Sequence, residues 1–324
     1  MKRIIIINTG GTIAMLEDQV TRSVRPVEQA TFTSILPLLQ QVAQVEFISF
    51  ANMPSPHITL DHMFQLRQLV QEQLNRSDVD GVVVTHGTDT LEETAFFLHL
   101  TVASSKPVVV TGAMRSTNEI GADGPINLYR SVQVASAAAS EGKGVLVVFN
   151  DEIHSAQYVT KTHTSNIATF QSPEFGPIGT VTKGGIHYLH APLQRETYTI
   201  EQIHGDVPLI KAVAGMRWEW YQSLLTQPIN GLVIEALGQG NLPPSILPLI
   251  TQLVKKNIPI VMVSRCFNGH VEPVYDYIGG GRQLQNLGLI FSNGLNGPKA
   301  RIKLLILLQQ IQNFSQLQKL FSLE

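Results

Sequence analysis

Cysteine is almost absent from this 324-residue chain, which contains only Cys266. An intrachain disulfide is therefore excluded, and the sequence gives no basis for a zinc site built on several thiolates. Because Cys266 follows an apolar run, we expect a small residue at the end of a strand rather than a reactive thiol. The ten histidines are scattered and lack the ligand spacing of zinc enzymes. We expect neither a metal nor another cofactor.

Charge and long apolar runs are also scarce. Charged residues make up 15% of the chain, and the formal net charge is -2. Without a basic surface to attract phosphates, nucleic acid is not an expected partner. No stretch approaches the roughly 18 apolar residues of a membrane-spanning helix, so we expect no membrane association. The apolar run 4–7 is too short for a signal-peptide core, which predicts a cytoplasmic protein.

What the chain does contain is a repeating pattern of short apolar runs and amphipathic segments. The runs lie at 4–7, 82–84, 108–110, 145–149, 232–234 and 258–263. Segments of helical period lie between them, at 64–74, 91–103, 127–139, 245–254 and 299–308. Continuous apolar runs are typical of strands buried on both faces of a parallel sheet. The alternation therefore predicts an α/β fold with a doubly wound, mostly parallel sheet.

The length of the chain favours two packed units over one. We predict a larger N-terminal catalytic α/β domain at 1–190, in which 151–190 adds a β-hairpin extension to the sheet. Residues 191–207 are polar and aperiodic, as expected of a linker. Residues 208–324 are predicted to form a smaller C-terminal α/β domain. Ligands of such sheets bind beyond the carboxyl ends of the strands, so the residues that follow each strand matter most.

The first strand leads directly into residues 8–14 (NTGGTIA). Paired glycines allow a tight turn that presents backbone amides to an anion, and Thr9 and Thr12 add hydroxyl groups. An ordinary turn or a nucleotide phosphate site is the alternative, but the spacing fits neither the dinucleotide fingerprint nor the P-loop. The polar, aperiodic stretch 15–30 that follows is a candidate mobile lid.

A second polar cluster, residues 85–90 (THGTDT), follows another apolar run. Thr88 or Asp89 can cap the next helix, but capping explains one residue and not the whole cluster. A carboxylate here can hold a substrate ammonium, while a hydroxyl can attack a carbonyl if a base takes its proton. His86 also lies in this cluster. We favour a structural hydrogen-bonding role for it over a catalytic one.

No base is adjacent in sequence, and Lys161 is the best candidate. Most lysines are exposed, so a surface position is the alternative. In a partly buried site beside Thr88 and Asp89, desolvation would favour the neutral amine that acts as a base. The three residues would then form a relay of hydroxyl, base and orienting carboxylate.

Several motifs together resemble the bacterial-type L-asparaginase and glutaminase-asparaginase family. The two threonine loops match its signature motifs, and further blocks follow in the family's order over nearly the whole chain. These blocks are 112–115 (GAMR), 122–128 (ADGPINL), 159–162 (VTKT), 238–241 (GQGN) and 295–301 (LNGPKAR).

The resemblance implies a role for each matching position. Thr12 matches the nucleophile that forms an acyl-enzyme, and Thr88, Asp89 and Lys161 match the family's relay. Asp89 also matches the residue that binds the substrate α-ammonium. The other implied substrate-binding positions are Gly11, Ser55 for the α-carboxylate, Ala113 for the leaving amide, and Asn241 supplied by a neighbouring subunit. The family further implies a homodimer, usually paired into a homotetramer.

The chain departs from the family pattern at two positions. Family members usually carry a tyrosine on the lid, where this chain has residues 23–26 (SVRP) and no tyrosine precedes Tyr129. Secreted members have a glutamate in the C-terminal domain that contacts the α-ammonium of a partner's substrate, whereas 276–287 contains none.

The leading hypothesis is hydrolysis of L-asparagine to L-aspartate and ammonia through a threonine acyl-enzyme. A glutaminase-asparaginase, or a hydrolase of another β-amide, is the alternative within the enzyme class. A low-activity paralogue that binds asparagine or aspartate is the alternative outside it, motivated by the missing tyrosine. A tRNA-linked amidotransferase subunit is disfavoured by the near-neutral charge.

Overall fold

The computed structural model describes residues 1–26, 32, 34–191, 195–311 and 313–322. The chain forms two compact units, an N-terminal unit (Met1–Thr199) and a C-terminal unit (Ile200–Glu324). The division falls inside the segment 191–207 that we predict to be a linker. Because 192–194 lie outside the described residues, the bounds of that linker stay a prediction.

Strands outnumber helices in the described part of the N-terminal unit. The strands are β1 (Arg3–Gly10), β2 (Met15–Glu17), β3 (Val24–Pro26), β4 (Gln44–Met53), β5 (Gly81–Thr85), β6 (Val108–Thr111), β7 (Val145–Phe149), β8 (Glu152–Ser155), β9 (Thr160–Lys161), β10 (Phe170–Gln171), β11 (Gly179–Thr182) and β12 (Gly185–Tyr188). The helices are α1 (Leu36–Val42), α2 (Leu60–Asn75), α3 (Leu91–Thr101) and α4 (Gly124–Ser136), with 3₁₀ turns at Thr12–Ala14, Ser55–His57 and Ala138–Ser140.

The main sheet of this unit has the strand order β12-β11-β8-β7-β6-β5-β1-β4 in the described residues. Strands β4, β1, β5, β6 and β7 are parallel, and β8, β11 and β12 extend them in antiparallel pairs. The predicted mostly parallel sheet and its hairpin extension are therefore confirmed. The order of the parallel strands reverses between β1 and β5, and ligands of such sheets bind beyond the strand ends at this switch point.

Two apolar layers cover the two faces of the parallel sheet. Along β1, Ile5 and Ile7 pack in a cluster with side chains of α2 and α3. Ile4 and Ile6 point to the other face and pack with side chains of α1 and α4. All four isoleucines are fully buried, which explains why this strand appears in the sequence as a continuous apolar run.

The edge strand β4 was not among the predicted runs. It carries the sequence QVEFISFANM, in which polar and apolar residues are mixed, and it retains partial exposure along its length. An edge strand is covered less completely than a central one, so its sequence needs no continuous apolar run. Residues 15–30 also differ from the aperiodic lid that we predict, because β2 and β3 form an antiparallel pair. Residues 27–30 of that lid lie outside the described residues.

The C-terminal unit contains a four-stranded parallel sheet in the order β13-β14-β15-β16. Its described elements are β13 (Leu209–Lys211), β14 (Leu232–Ala236), α5 (Leu247–Lys255), β15 (Ile260–Ser264), α6 (Gly281–Asn286), β16 (Ile290–Phe291), α7 (Gly297–Leu308) and α8 (Phe314–Phe321), with 3₁₀ turns at Trp218–Leu225 and Pro244–Ile246. The smaller α/β domain predicted from the sequence is confirmed.

The predicted helices exist, but several of their bounds were wrong. The helix expected at 127–139 begins at Gly124, because Pro125 lies in its first turn, where a missing N–H costs nothing. The helix expected at 64–74 begins at Leu60, since Thr59 and His62 form a reciprocal capping box around its first turn. The strand expected at 258–263 begins at Ile260, after Pro259.

Candidate active site

Two glycines bring the first and second threonine loops into direct backbone contact. A Cβ atom on Gly11 would lie 2.3 Å from Gly87 Cα, and a Cβ on Gly87 would lie 2.8 Å from Ser55 Oγ. Both distances are too short for any side chain. Gly11 also has a φ of 82° and a ψ of 178°, a conformation that is essentially restricted to glycine. The loops after β1 and β5 therefore meet at the switch point of the sheet.

The second loop makes the central polar contacts of the site. Lys161 Nζ donates to Thr88 Oγ1 at 2.9 Å and to Asp89 Oδ1 at 2.7 Å. The Thr88 residue is buried, the Lys161 side chain is 17% exposed, and the Asp89 side chain is 60% exposed. The hydroxyl, amine and carboxylate thus form a connected chain that opens to solvent at the carboxylate.

Lys161 reaches this chain because its backbone is fixed from two sides. Strand β9, which carries it, pairs with β10 in a short antiparallel ladder. Its backbone N–H also donates to Glu92 Oε2 at 2.7 Å, and Glu92 is a buried residue of α3. A β-extension that leaves the main sheet is thereby tied to the helix that follows the second threonine loop.

The structure corrects the capping interpretation of this loop. The residue at the N-cap of α3 is Thr90, and its side chain makes no capping hydrogen bond. Thr88 and Asp89 use their side chains on Lys161 instead. The acidic first turn, with Glu92 and Glu93, remains as expected for the helix dipole.

Ser55 lies at the start of the 3₁₀ turn after β4 and joins the same site. Its residue is 3% exposed, and its Oγ accepts a hydrogen bond from the Asp89 backbone N–H at 3.2 Å. Thr90 Oγ1 donates to the Ser55 carbonyl at 2.9 Å. Ser55 is therefore held by the second threonine loop, with its hydroxyl beside Asp89.

A cavity of about 350 Å³ lies between these elements. Gly11, Thr12, Ser55, Thr88, Asp89 and Lys161 all line it, together with Met15, Val24, Pro54, Pro56, Gly87, Met114, Ser116, Glu119 and Thr164. Six of the eight site residues predicted from the sequence thus share one cavity. The Thr12 hydroxyl makes no hydrogen bond to the described residues, which leaves it available to a ligand.

The other two predicted site residues lie elsewhere. Ala113 is fully buried and is not among the residues that line the cavity, although the adjacent Met114 is. Asn241 belongs to the C-terminal unit, where its Oδ1 accepts a hydrogen bond from the Gly281 N–H at 3.2 Å. A contribution of Asn241 to a neighbouring subunit stays a prediction.

His86 is fully buried, and both of its ring nitrogens have partners. Nδ1 lies 2.8 Å from the Gly87 carbonyl, and Nε2 lies 2.9 Å from Thr94 Oγ1. Burial lowers its pKa to about 4, although the Gly87 contact raises it slightly. The ring is thus neutral at physiological pH, donating from Nδ1 to the carbonyl and accepting the Thr94 proton at Nε2. These contacts support the structural role.

The β2–β3 hairpin reaches the cavity through Met15 and Val24. Val24 lies in the stretch where the family usually carries a tyrosine. The hairpin is anchored by Asn118, which accepts from the Glu17 backbone N–H and donates to the Glu17 carbonyl, both at 2.8 Å. Two opposed bonds to one backbone residue imitate a strand pairing and hold the hairpin at the end of β2 that is next to the turn.

Two polar residues of the cavity wall, Ser116 and Glu119, were missed in the sequence. They lie in the loop after β6, at the same sheet edge as the two threonine loops. Their position after a predicted parallel strand could have identified them, because residues that follow such strands are candidates for ligand binding.

The described residues contain no group of three or more histidine, cysteine, aspartate or glutamate side chains that could hold a metal ion. Within the same described part of the chain, no helix is long and apolar enough to cross a membrane.

Comparisons with known proteins agree with this architecture. A family model described as "Asparaginase, N-terminal" matches residues 3–194, and one described as "Glutaminase/Asparaginase C-terminal domain" matches residues 206–321. A probable L-asparaginase of Deinococcus radiodurans is 42% identical over 99% of this chain and 98% of its own length. L-asparaginase 2 of Escherichia coli is 33% identical over 99% of this chain and 93% of its own.

A crystal structure of a probable cytoplasmic L-asparaginase from Campylobacter jejuni superposes with a TM-score of 0.91 at 31% identity, covering 99% of each chain. Fold, site and matches together define the class of this protein as an α/β amidohydrolase. The chain belongs to the asparaginase family.

Proposed function

We propose that this protein hydrolyses L-asparagine to L-aspartate and ammonia through an acyl-enzyme on Thr12. The observation that carries the proposal is the contact of Lys161 with Thr88 and Asp89 in a cavity that Thr12 also lines. The Thr12 hydroxyl, which makes no hydrogen bond to the described residues, and the hydroxyl–amine–carboxylate relay provide the groups that nucleophilic amide hydrolysis needs.

The proposed reaction divides into two steps. The Thr12 hydroxyl attacks the side-chain carbonyl of asparagine and its proton passes to the amide nitrogen, so that the C–N bond breaks and ammonia leaves. Water then attacks the acyl carbonyl, and its proton passes through the Thr88–Lys161 relay to the Thr12 oxygen. The ester C–O bond breaks, which releases aspartate and restores the Thr12 hydroxyl. Gly11 belongs to the substrate-binding set because it lines the cavity next to Thr12. Ser55 holds the α-carboxylate, and Asp89 holds the α-ammonium.

The test is ammonia release from L-asparagine by purified wild-type protein and by Thr12→Ala. Removing a covalent nucleophile is expected to lower kcat by at least about a thousandfold. Thr12→Ser keeps a hydroxyl at the same position and is the matched control, with measurable turnover expected. Wild-type protein that hydrolyses neither asparagine nor glutamine would contradict the proposal.

Glutamine is the alternative substrate, because a relative from Pseudomonas aeruginosa, 32% identical over 99% of this chain, is named glutaminase-asparaginase. The two amides differ by one methylene, for which discrimination of roughly 10- to 200-fold is typical. We propose that asparagine is preferred. Steady-state kcat/KM values for both amino acids test this, and equal values would assign the broader specificity instead.

A binding paralogue with little turnover is the second candidate function. Val24 favours it, because a valine lines the cavity in the stretch where the family usually places a tyrosine hydroxyl. Stabilisation of the protein against heating by L-asparagine, without release of ammonia, would support binding alone. Retention of Thr12, Thr88, Asp89 and Lys161 supports the enzyme.

We also propose that the protein is a cytoplasmic homodimer or homotetramer. Exposed large apolar side chains in the C-terminal unit support self-association, since Phe267 is 70% and Ile278 is 66% exposed. The cytoplasmic location rests on the name of the Campylobacter jejuni protein. Light scattering on purified protein tests the assembly, and a monomer at micromolar concentration would refute it.

A further inference from the structure

The loop between β6 and α4 forms a wall of the cavity, and hydrogen bonds to its backbone N–H groups fix its conformation. The Asp123 carboxylate accepts the Met114 N–H at 3.0 and 3.1 Å and the Arg115 N–H at 3.0 Å. Asn127 Nδ2 donates to the same carboxylate at 3.1 Å. Side chains that follow on this loop are therefore presented to the cavity in a fixed arrangement.

Ser116 is the first of these side chains. It is fully buried and lines the cavity, yet its hydroxyl has no hydrogen-bond partner among the described residues. Buried polar groups in proteins are nearly always paired, so an unpaired hydroxyl on a cavity wall indicates a partner that enters the cavity.

Glu119 lies beside Ser116 on the same wall. Its Oε1 accepts the Ser116 backbone N–H at 2.7 Å, and this bond is the main cause that lowers the pKa of the carboxyl, with the nearby Ser116 hydroxyl as a further cause. The hydroxyl still lacks the geometry of a hydrogen bond to it. The carboxylate is thus ionised at neutral pH, and no described cation lies within 4.0 Å to form an ion pair with it.

The charged side chains that line the cavity do not balance, because they comprise two carboxylates and one amine. Asp89 and Lys161 form an ion pair at 2.7 Å, and their opposite charges largely cancel. Glu119 adds a second carboxylate to this lining. The charges of Arg115 and Arg22 also help to lower its pKa, but neither arginine lines the cavity, and they bond to the Gly121 carbonyl and to Glu17. A cavity of this kind attracts a ligand that carries a positive group to the wall formed by Ser116 and Glu119.

We propose that Glu119, with Ser116 beside it, binds the α-ammonium group of the amino-acid substrate in addition to Asp89. The inference rests on the proposed function, because asparagine and aspartate carry that ammonium. The carboxylate accepts one or more of its N–H bonds, and the Ser116 hydroxyl provides a further acceptor. Because Asp89 is already paired with Lys161, Glu119 then supplies the further negative charge that balances the ammonium.

The test compares Glu119→Gln with wild type on two substrates. L-asparagine carries the α-ammonium, and succinamate is the same β-amide without it. The glutamine amide keeps an oxygen for the Ser116 N–H, so the loop is preserved while the charge is removed. We expect KM for asparagine to rise about 10- to 100-fold, the scale of a charged hydrogen bond, with kcat changed less than about threefold. KM for succinamate is expected to stay the same or fall.

Two further variants make the result specific. Glu72→Gln removes one negative charge from an exposed position of α2 and is expected to leave both substrates unaffected. Ser116→Ala leaves the backbone N–H in place and is expected to raise KM for asparagine about three- to tenfold, again without effect on succinamate. The Ser116→Ala variant tests the proposal even if Glu119→Gln folds poorly.

An equal rise in KM for both substrates would assign the pair to loop structure and overturn the proposal, as would no change for either. Failure of the proposed function has a different signature, namely a wild-type protein that releases no ammonia. In that case, calorimetric titrations with L-aspartate and with succinate, which lacks the ammonium, make the same comparison without turnover. Glu119→Gln should then weaken aspartate alone, and equal affinities in wild type and variant would refute the inference.

Discussion

Gly11→Ala is expected to separate the two threonine loops and so remove activity. Gly11 has a φ of 82° and a ψ of 178°, which an alanine adopts only at a cost on the order of 1–3 kcal/mol. The new Cβ would lie 2.3 Å from Gly87 Cα, whereas ordinary contacts begin at 3.4 Å, so the two backbones must part by about 1 Å. Overpacking of this kind costs a further amount of roughly 1–3 kcal/mol.

The displacement matters for function because Thr12 and Thr88 lie directly after the two glycines. A misplacement of about 1 Å between reacting groups typically costs on the order of a hundredfold in rate. We therefore expect kcat/KM for asparagine to fall at least a hundredfold and the melting temperature to drop. Ammonia release and scanning calorimetry on the same preparations measure the two effects.

Gly142→Ala is the matched control. Gly142 also has a positive φ, of 73°, but its Cβ would meet no atom within 4 Å. Only the conformational cost of about 1 kcal/mol applies there, and activity should remain at the wild-type level. If Gly11→Ala behaved like Gly142→Ala in both assays, the loops would not depend on that close contact, and the reasoning would be refuted.

Three other expectations concern the relay, the buried histidine and the hairpin. Lys161→Met should lower kcat for asparagine by about 10²- to 10⁴-fold, whereas Lys183→Met, at an exposed position, should not; equal effects would contradict the relay. The pKa of His86 is about 4 in the folded protein, against 6.5 for an unperturbed ring, so the unfolded chain takes up the proton first as the pH falls. The free energy of unfolding therefore decreases from pH 6.5 down to about 4. Wild type should therefore lose about 2–3 kcal/mol more than a His86→Asn variant between pH 7 and pH 4.5 in urea unfolding, and parallel losses would exclude a neutral buried ring. Asn118→Ala removes two bonds to the β2 backbone, each of about 1 kcal/mol, and should speed tryptic cleavage after Arg22 several-fold; an unchanged rate would show that the hairpin does not need this anchor.

Much of the fold could be predicted from local sequence patterns. The continuous β-branched runs predict the central strands because both faces of those strands are buried, as the four isoleucines of β1 illustrate. The edge strand β4 escaped prediction for the converse reason, since partial exposure permits a mixed sequence. Helix bounds depended on capping groups such as Thr59 and on Pro125, which shift an end by a few residues without changing the apolar pattern.

The sequence by itself determined the chemistry that the two threonine loops offer, because strand ends, glycines and hydroxyls are adjacent there along the chain. Only the tertiary structure decided which distant groups reach them. Lys161 lies 72 positions after Asp89, and its contact depends on the β9–β10 ladder and on Glu92. Glu119 and Ser116 join the site for the same reason. Proximity between segments far apart in sequence follows from how the sheet is ordered, which no local pattern records.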